Sequence, residues 1–261
     1  MISVPGFDVV QSIGCFLREA NYDVSHLRKD LELGDSLHAN LDNLEPLLHK
    51  TEGDSKLAIL ARLFFVGWPV DIEVCRRVLS ETFVHLAMAA GLVRVSGAEL
   101  EPGAAIMPFE DLLIACDVPR SRGANPDMVL GPSPSTFLIS KLAVPGLKES
   151  TLDLGTGGGV LAIKAAAYSQ CVIGTDINSR AIEFAKFSAA LNGVSNVRFA
   201  CGDAFVPVNG RRFTRIIANP PFFVSPAKKF TYCDNPLELD GFSRRLVKEA
   251  SGHLEEGGYS R

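Results

Sequence analysis

Asn219, Pro220, Pro221 and Phe222 form the tetrapeptide in this sequence best suited to chemistry. Two consecutive prolines remove two backbone donors and stiffen the turn. The Asn219 side chain and nearby carbonyls are thereby fixed as acceptors, and Phe222 supplies a flat face. A planar NH2 group can donate to such acceptors while the base or amide that carries it stacks on the ring. Its nitrogen lone pair can then be aimed at an electrophile, a reaction that needs positioning more than a strong base. Lys228 and Lys229, just past the corner, suit a phosphate backbone or an acidic protein surface.

A second cluster lies upstream. Thr151 to Leu154 reads as a short strand running into Gly155-Thr156-Gly157-Gly158-Gly159, followed by an apolar helix from Val160. Such a turn can bring backbone against a pyrophosphate, but the third glycine of that fingerprint would fall at Val160. An acid, Asp153, also stands inside the apolar strand. Asp176 closes the next strand and Asp203, in Gly202-Asp203-Ala204, follows the third. Taken singly, each has a plain structural use. The turn can be a tight connection, Asp176 can cap the helix beginning near Ser179, and Asp203 can hold its own loop.

In order, at successive strand ends, the set resembles the class I S-adenosylmethionine (SAM) methyltransferases. Asp153-Leu154-Gly155-Thr156-Gly157 is similar to their D-x-G-x-G loop. The resemblance implies that Asp153, Gly155, Thr156, Gly157 and Gly159 surround the methionine part of SAM. It places Asp176 on the ribose hydroxyls with Ile177 beside it, and Asp203 with Ala204 at the adenine. Asn219 stands at the methyl end. Asn219-Pro220-Pro221-Phe222 resembles the [ND]-P-P-[FYW] motif of amino-group N-methyltransferases, over about residues 129–259. That group includes DNA enzymes, ribosomal-RNA guanine-N2 enzymes of the small methyltransferase domain type, and release-factor glutamine methyltransferases.

The implied substrate is a nucleobase of ribosomal RNA, marginally ahead of a glutamine amide in a translation protein. Phe222 leans toward RNA, with Phe222, Lys228 and Lys229 as substrate-binding residues. The segment Val129 to Leu138 matches only in part the Pro-rich stretch of release-factor enzymes, lacking their Arg and Glu. A SAM- or RNA-binding module without catalysis is the rival from another class, and a dinucleotide dehydrogenase is a second enzyme rival. No metal is expected.

These residues need a frame. The strands Thr151–Leu154, Cys171–Gly174, Val197–Ala200 and Ile216–Ala218 alternate with helices, which makes βαβ units and a parallel sheet. The expected fold is α/β, a Rossmann-like class I sheet preceded by a mainly helical domain. Ligands of such sheets bind beyond the carboxyl ends of the strands. Arg211, Arg212 and Arg215 precede the fourth strand and read as a solvated loop. The helix expected over Gly241 to Leu254 leads toward a fifth strand, with the sequence stopping at Arg261. The reading is therefore a sheet truncated after about four strands, in a fragment.

Charge divides the chain as well. Residues 1–120 carry 10 Lys and Arg against 18 Asp and Glu, whereas residues 121–261 carry 16 against 12. An acidic first half is a poor nucleic-acid clamp. Prolines and glycines crowd between Asp117 and Pro134, giving a helical domain over 1–118, a linker over 119–134 and a methyltransferase domain over 135–261. In the first domain, Val9, Val10, Ile13, Phe16 and Leu17 share a helical face, and Asp54 is placed to cap the run from Leu57. Helices over Asp71–Leu79 and from Glu81 precede a hairpin around Ser96-Gly97 and a strand near Leu112–Ala115. This reads as a helical cap, with a winged-helix arrangement as the alternative. Neither an export signal nor a membrane span is visible. The six single cysteines read as reduced, mostly buried thiols of a cytoplasmic protein.

Overall fold

The computed structural model describes residues 2, 5–33, 44–119, 125–142, 146, 148–220 and 241–260. The chain forms two compact units, Met1–Arg122 with Ala190–Gly193, and Gly123–Ala189 with Val194–Arg261.

The first unit opens with α1 (Phe7–Glu19), which buries Val10, Ile13 and Leu17 at three- and four-residue spacing. Next come α2 (Val24–Asp30), α3 (Leu44–Lys50) and α4 (Lys56–Leu60). The cap of α4 is Ser55, whose hydroxyl accepts from Ala58 N at 3.0 Å. Asp54, the expected cap, instead pairs with Arg77 at 2.5 Å. The helix widens into a π-helical turn over Ala61–Val66, where Ala61, Leu63, Phe64, Phe65 and Val66 are all buried. A segment buried nearly all round has no one-faced pattern to read.

Beyond β1 (Val70–Asp71), Asp71 caps α5 (Ile72–Leu79) by accepting from Glu73 N and Val74 N. After α6 (Glu81–Ala89), β2 (Val93–Ser96) and β3 (Glu99–Pro102) form the expected hairpin, and β1 adds antiparallel to β3. A second hairpin joins β4 (Ala105–Phe109) to β5 (Leu112–Cys116). Every residue of β4 is buried, so it lacks the alternation that marks a half-exposed strand.

The second unit begins with α7 (Pro134–Leu142). It continues through β6 (Lys148–Leu154), α8 (Val160–Ala166), β7 (Ser169–Asp176), α9 (Ser179–Leu191) and β8 (Val197–Cys201). It ends with β9 (Phe213–Ala218), α10 (Gly241–Ala250) and β10 (Leu254–Ser260). All neighbouring strands are parallel, in the order β10-β9-β6-β7-β8. The Rossmann-like α/β class is as expected, but among the described residues the sheet has five strands, not about four. The fifth, toward which the last helix was expected to lead, forms over Leu254–Ser260, and its pairing with β9 is irregular between Leu254 and Tyr259, around Gly257 at φ 76°.

Alternation along the strands buries both faces of this sheet. Leu152, Leu154 and Ile216 join Leu246 and Ala250 of α10 on one side. Ile217 and Val172 join Leu161, Ala162 and Ala165 of α8 on the other. Arg215 is a correction: far from lying in a solvated loop, it is 1% exposed within β9. Its guanidinium donates to Thr151 Oγ1 and Ser169 Oγ, both at 3.1 Å.

The described cysteines are reduced thiols, but the expectation that most are buried fails. Cys75 and Cys116 are buried, but Cys15, Cys171 and Cys201 are exposed. Cys171 precedes the buried run of β7, and Cys201 ends the edge strand β8. Cys233 lies outside the described residues. No helix among the described residues is long and apolar enough to cross a membrane.

Candidate active site

The strand order reverses between β6 and β9. Strands β7 and β8 extend the sheet to one side of β6, and β9 and β10 to the other. Parallel sheets bind ligands at such a switch point, beyond the carboxyl ends of the strands. Leu154 is paired with both Thr175 and Ala218. The next residues out, Gly155, Asp176 and Asn219, therefore emerge side by side from three adjacent strands.

Side chains alternate along β6, so Asp153 points to the face covered by α8 while its neighbours Leu152 and Leu154 join the opposite core. Its Oδ2 accepts from Thr156 Oγ1 at 2.7 Å and from Ala162 N at 3.0 Å. Gly159 precedes α8 and has no side chain to cap it. Asp153 supplies that acceptor from across the turn, where a helix start favours negative charge. Burial pushes its carboxyl up to about 7, against the lowering effect of those two hydrogen bonds. Asp153 Oδ1 is buried with no hydrogen-bond partner.

The glycines divide by role. Gly155 (φ 68°) and Gly157 (φ 54°) sit in the left-handed region, and a Cβ on either would meet nothing within 4 Å. They border open space. At Gly159 (φ 89°) a Cβ would stand 3.1 Å from Ala185 Cβ and 3.2 Å from Ile163 Cδ1. That glycine serves the packing of α8. Thr156 is buried, turned inward to Asp153.

Asp176 is tied to the same turn. Its Oδ2 accepts from Gly157 N and its Oδ1 from Asn178 N, each at 2.9 Å. Burial raises its carboxyl above the ordinary range, and hydrogen bonds from the main chain at Asn178, Gly157 and Ile177 work against that rise. Ile177, beside it, is 60% exposed, a large apolar surface at the rim. Asp203 lies beyond β8, and its Oδ2 pairs with Arg245 of α10 at 3.0 Å. Arg245 also holds Glu249 at 2.8 Å. Ala204 adopts a left-handed φ of 44°.

Asn219 follows β9 directly, half-buried, with Pro220 next. Its Nδ2 lies 3.2 Å from both Ser135 Oγ and Thr136 Oγ1 of α7. Sequence reasoning did not place these hydroxyls at the site. The signal that could have found them is a helix start: Pro134 opens α7, and Ser133 Oγ accepts from Thr136 N at 3.2 Å. Pro221, Phe222, Lys228 and Lys229 lie outside the described residues. Among the described residues, no group of His, Cys, Asp and Glu is arranged to hold a metal ion.

Comparison with known proteins follows the division into two units. The family model for the methyltransferase small domain matches residues 133–260. A domain of unknown function (DUF7059) matches residues 19–103. A release factor glutamine methyltransferase of Deinococcus radiodurans is 32% identical over 226 residues, covering 76% of this chain and 80% of that protein. Ribosomal RNA small subunit methyltransferase C of Klebsiella pneumoniae is 36% identical over 129 residues, covering 49% of this chain. The chain spans only 34% of that relative's length. Among solved structures, a ribosomal protein L11 methylase from Lactobacillus delbrueckii subsp. bulgaricus aligns at 25% identity and a TM-score of 0.37, over 48% of this chain and 55% of that one.

Proposed function

The chain belongs to the small-domain family of SAM-dependent methyltransferases, and from that premise we propose that it methylates a planar amino nitrogen in the translation machinery. One observation carries the reading above the others. The carboxamide of Asn219 leaves β9 beside the glycine turn that leaves β6, in a register set by Leu154 and Ala218. An amide acceptor is thus held next to the open space bordered by Gly155 and Gly157.

The residues fit the cofactor. SAM, when bound, supplies an electrophilic methyl group on a sulfonium sulfur. Gly155 and Gly157 leave room for its methionine part, and Asp153 holds their turn from beneath through Thr156 and the start of α8. Asp176 accepts from the ribose diol with the lone pairs its two backbone donors leave free. Ile177 offers an apolar plate to the adenine ring. Asp203 is shared between Arg245 and the adenine amino group, and Ala204 lines the same edge. The substrate NH2 would donate to the Asn219 oxygen, and the sequence motif assigns Phe222 to the face of its plane. Held so, its lone pair would take the methyl group as the carbon–sulfur bond breaks with its electron pair left on sulfur, and the extra proton on nitrogen would then leave to solvent. Position, not proton abstraction, carries the rate.

A nucleobase of ribosomal RNA is the first substrate reading, with Lys228 and Lys229 meeting phosphate. The second is a protein glutamine amide, which presents the same NH2 group. It is favoured by the match with the Deinococcus enzyme, which runs over 80% of that protein and so beyond the methyltransferase half. Either substrate puts the enzyme in the cytoplasm.

Incubation with tritiated SAM and an undermethylated cell extract tests the proposal. Label in RNA supports the first reading, and label recovered as N-methylglutamine after digestion supports the second. SAM binding without label in RNA or protein would overturn catalysis in favour of a binding module.

A further inference from the structure

A carboxamide has two ends of similar shape and opposite hydrogen-bonding sense, so a site that uses one end must hold it against rotation. Asn219 Nδ2 lies 3.2 Å from Ser135 Oγ and 3.2 Å from Thr136 Oγ1. Both hydroxyls stand 2.9 Å from a third, Ser133 Oγ. Ser133 is fixed in turn by accepting from Thr136 N as the cap of α7. Thr136 is buried, and the other two are half-buried. Two amide protons thus meet two hydroxyl oxygens; Ser133 Oγ, which already accepts from Thr136 N, can take the proton of one of them and give its own to the other. The reverse orientation would give the amide oxygen to the hydroxyls and turn NH2 toward the substrate. A substrate amino group would then face a donor instead of an acceptor.

We infer that Ser135 and Thr136 are positioning residues that lock the Asn219 amide with its oxygen toward the substrate. The inference rests on the proposed reaction for its consequence, but the lock itself is a property of the free protein. It also gives α7 a specific task, since the hydroxyl pair fixes the acceptor from a segment 83 to 84 residues earlier in the chain.

Three variants of the full chain test it: Thr136→Val, which keeps the shape, Ser135→Ala, and the conservative Thr136→Ser. The first readout is hydrogen exchange of the Asn219 side-chain NH2, followed by NMR in wild type and each variant. Slow exchange in wild type, roughly tenfold faster in Thr136→Val and restored in Thr136→Ser, is expected. Equal exchange in all four proteins would overturn the lock, with or without a known substrate.

The second readout is methyl transfer. Loss of either hydroxyl, in Thr136→Val or Ser135→Ala, lowers kcat roughly 10-fold, with the Kd for SAM and the melting temperature nearly unchanged and Thr136→Ser active. A fall in SAM affinity matching the fall in kcat would mean a structural role and overturn the inference. Absence of methyl transfer by wild type would count against the proposed function alone, leaving the exchange result to decide the lock. If Thr136→Val fails to fold, Ser135→Ala carries both readouts.

Discussion

The main-chain N–H of Gly157 donates to Asp176 Oδ2 at 2.9 Å, so the acid ending one strand clamps the glycine turn of its neighbour. The carboxylate proposed to receive the ribose diol is therefore also part of the frame of the loop proposed to hold the methionine end. Asp176→Ala removes both contributions. Because hydrogen bonds to a charged acceptor are each worth about 1.5–3 kcal/mol, SAM affinity falls roughly 30-fold or more by calorimetry. Asp176→Asn keeps one acceptor oxygen and loses less.

Asn219→Ala separates binding from chemistry. The side chain touches neither Gly157 nor Asp176 in the hydrogen-bond pattern, so SAM affinity stays within about threefold. Turnover with labelled SAM drops by at least about 100-fold, the scale of a lost positioning contact. Unchanged turnover would remove the Asn219 carboxamide from the reaction.

The two kinds of glycine respond differently to the same change. Gly155→Ala adds a Cβ that meets no protein atom, at a cost of about 1–2 kcal/mol for a left-handed φ. The methyl group occupies the cradle, and SAM binds roughly 10- to 100-fold more weakly in titration. Gly159→Ala drives a methyl group against Ala185 and Ile163. It destabilises the fold by roughly 2–4 kcal/mol in a urea melt.

Asp153 sets a pH dependence of stability. Its carboxyl is raised from 3.8 to about 7 in the folded chain, principally by burial. Between those values the folded state holds a proton that the unfolded state has released. The contribution is therefore fully present below about pH 4 and is lost as pH rises through 7, at up to about 1.4 kcal/mol per pH unit. Denaturant melts from pH 5 to 8.5 compare wild type with Asp153→Asn, which carries no such proton. The stability difference between them shifts toward the variant as pH rises, and parallel curves would refute the assignment.

Much of this was legible in the sequence because the strand ends carry it. Asp153, the glycine turn and Asp176 were readable as strand–turn–helix punctuation, and Asn219 as the residue before a diproline. What stayed hidden depends on contacts between distant segments. Ser135 and Thr136 lie just past the stretch read as linker, and nothing local ties them to Asn219. The burial of Arg215 needs hydroxyls from Thr151 and Ser169, which arrive from two other strands. Strand β4 has no polar face, so it does not show the period that marks a half-exposed strand.

The in-step pairing of Leu154 with Ala218 governs which lengths of chain a descendant of this protein can tolerate. One residue gained between Phe213 and Asn219 would carry the carboxamide about 3.3 Å outward and flip it to the other side of the sheet. Insertions survive instead in the far turn around Asn209 and Gly210, where added chain only widens an exposed loop. Divergence in length is thus steered to the end of the molecule that does no chemistry.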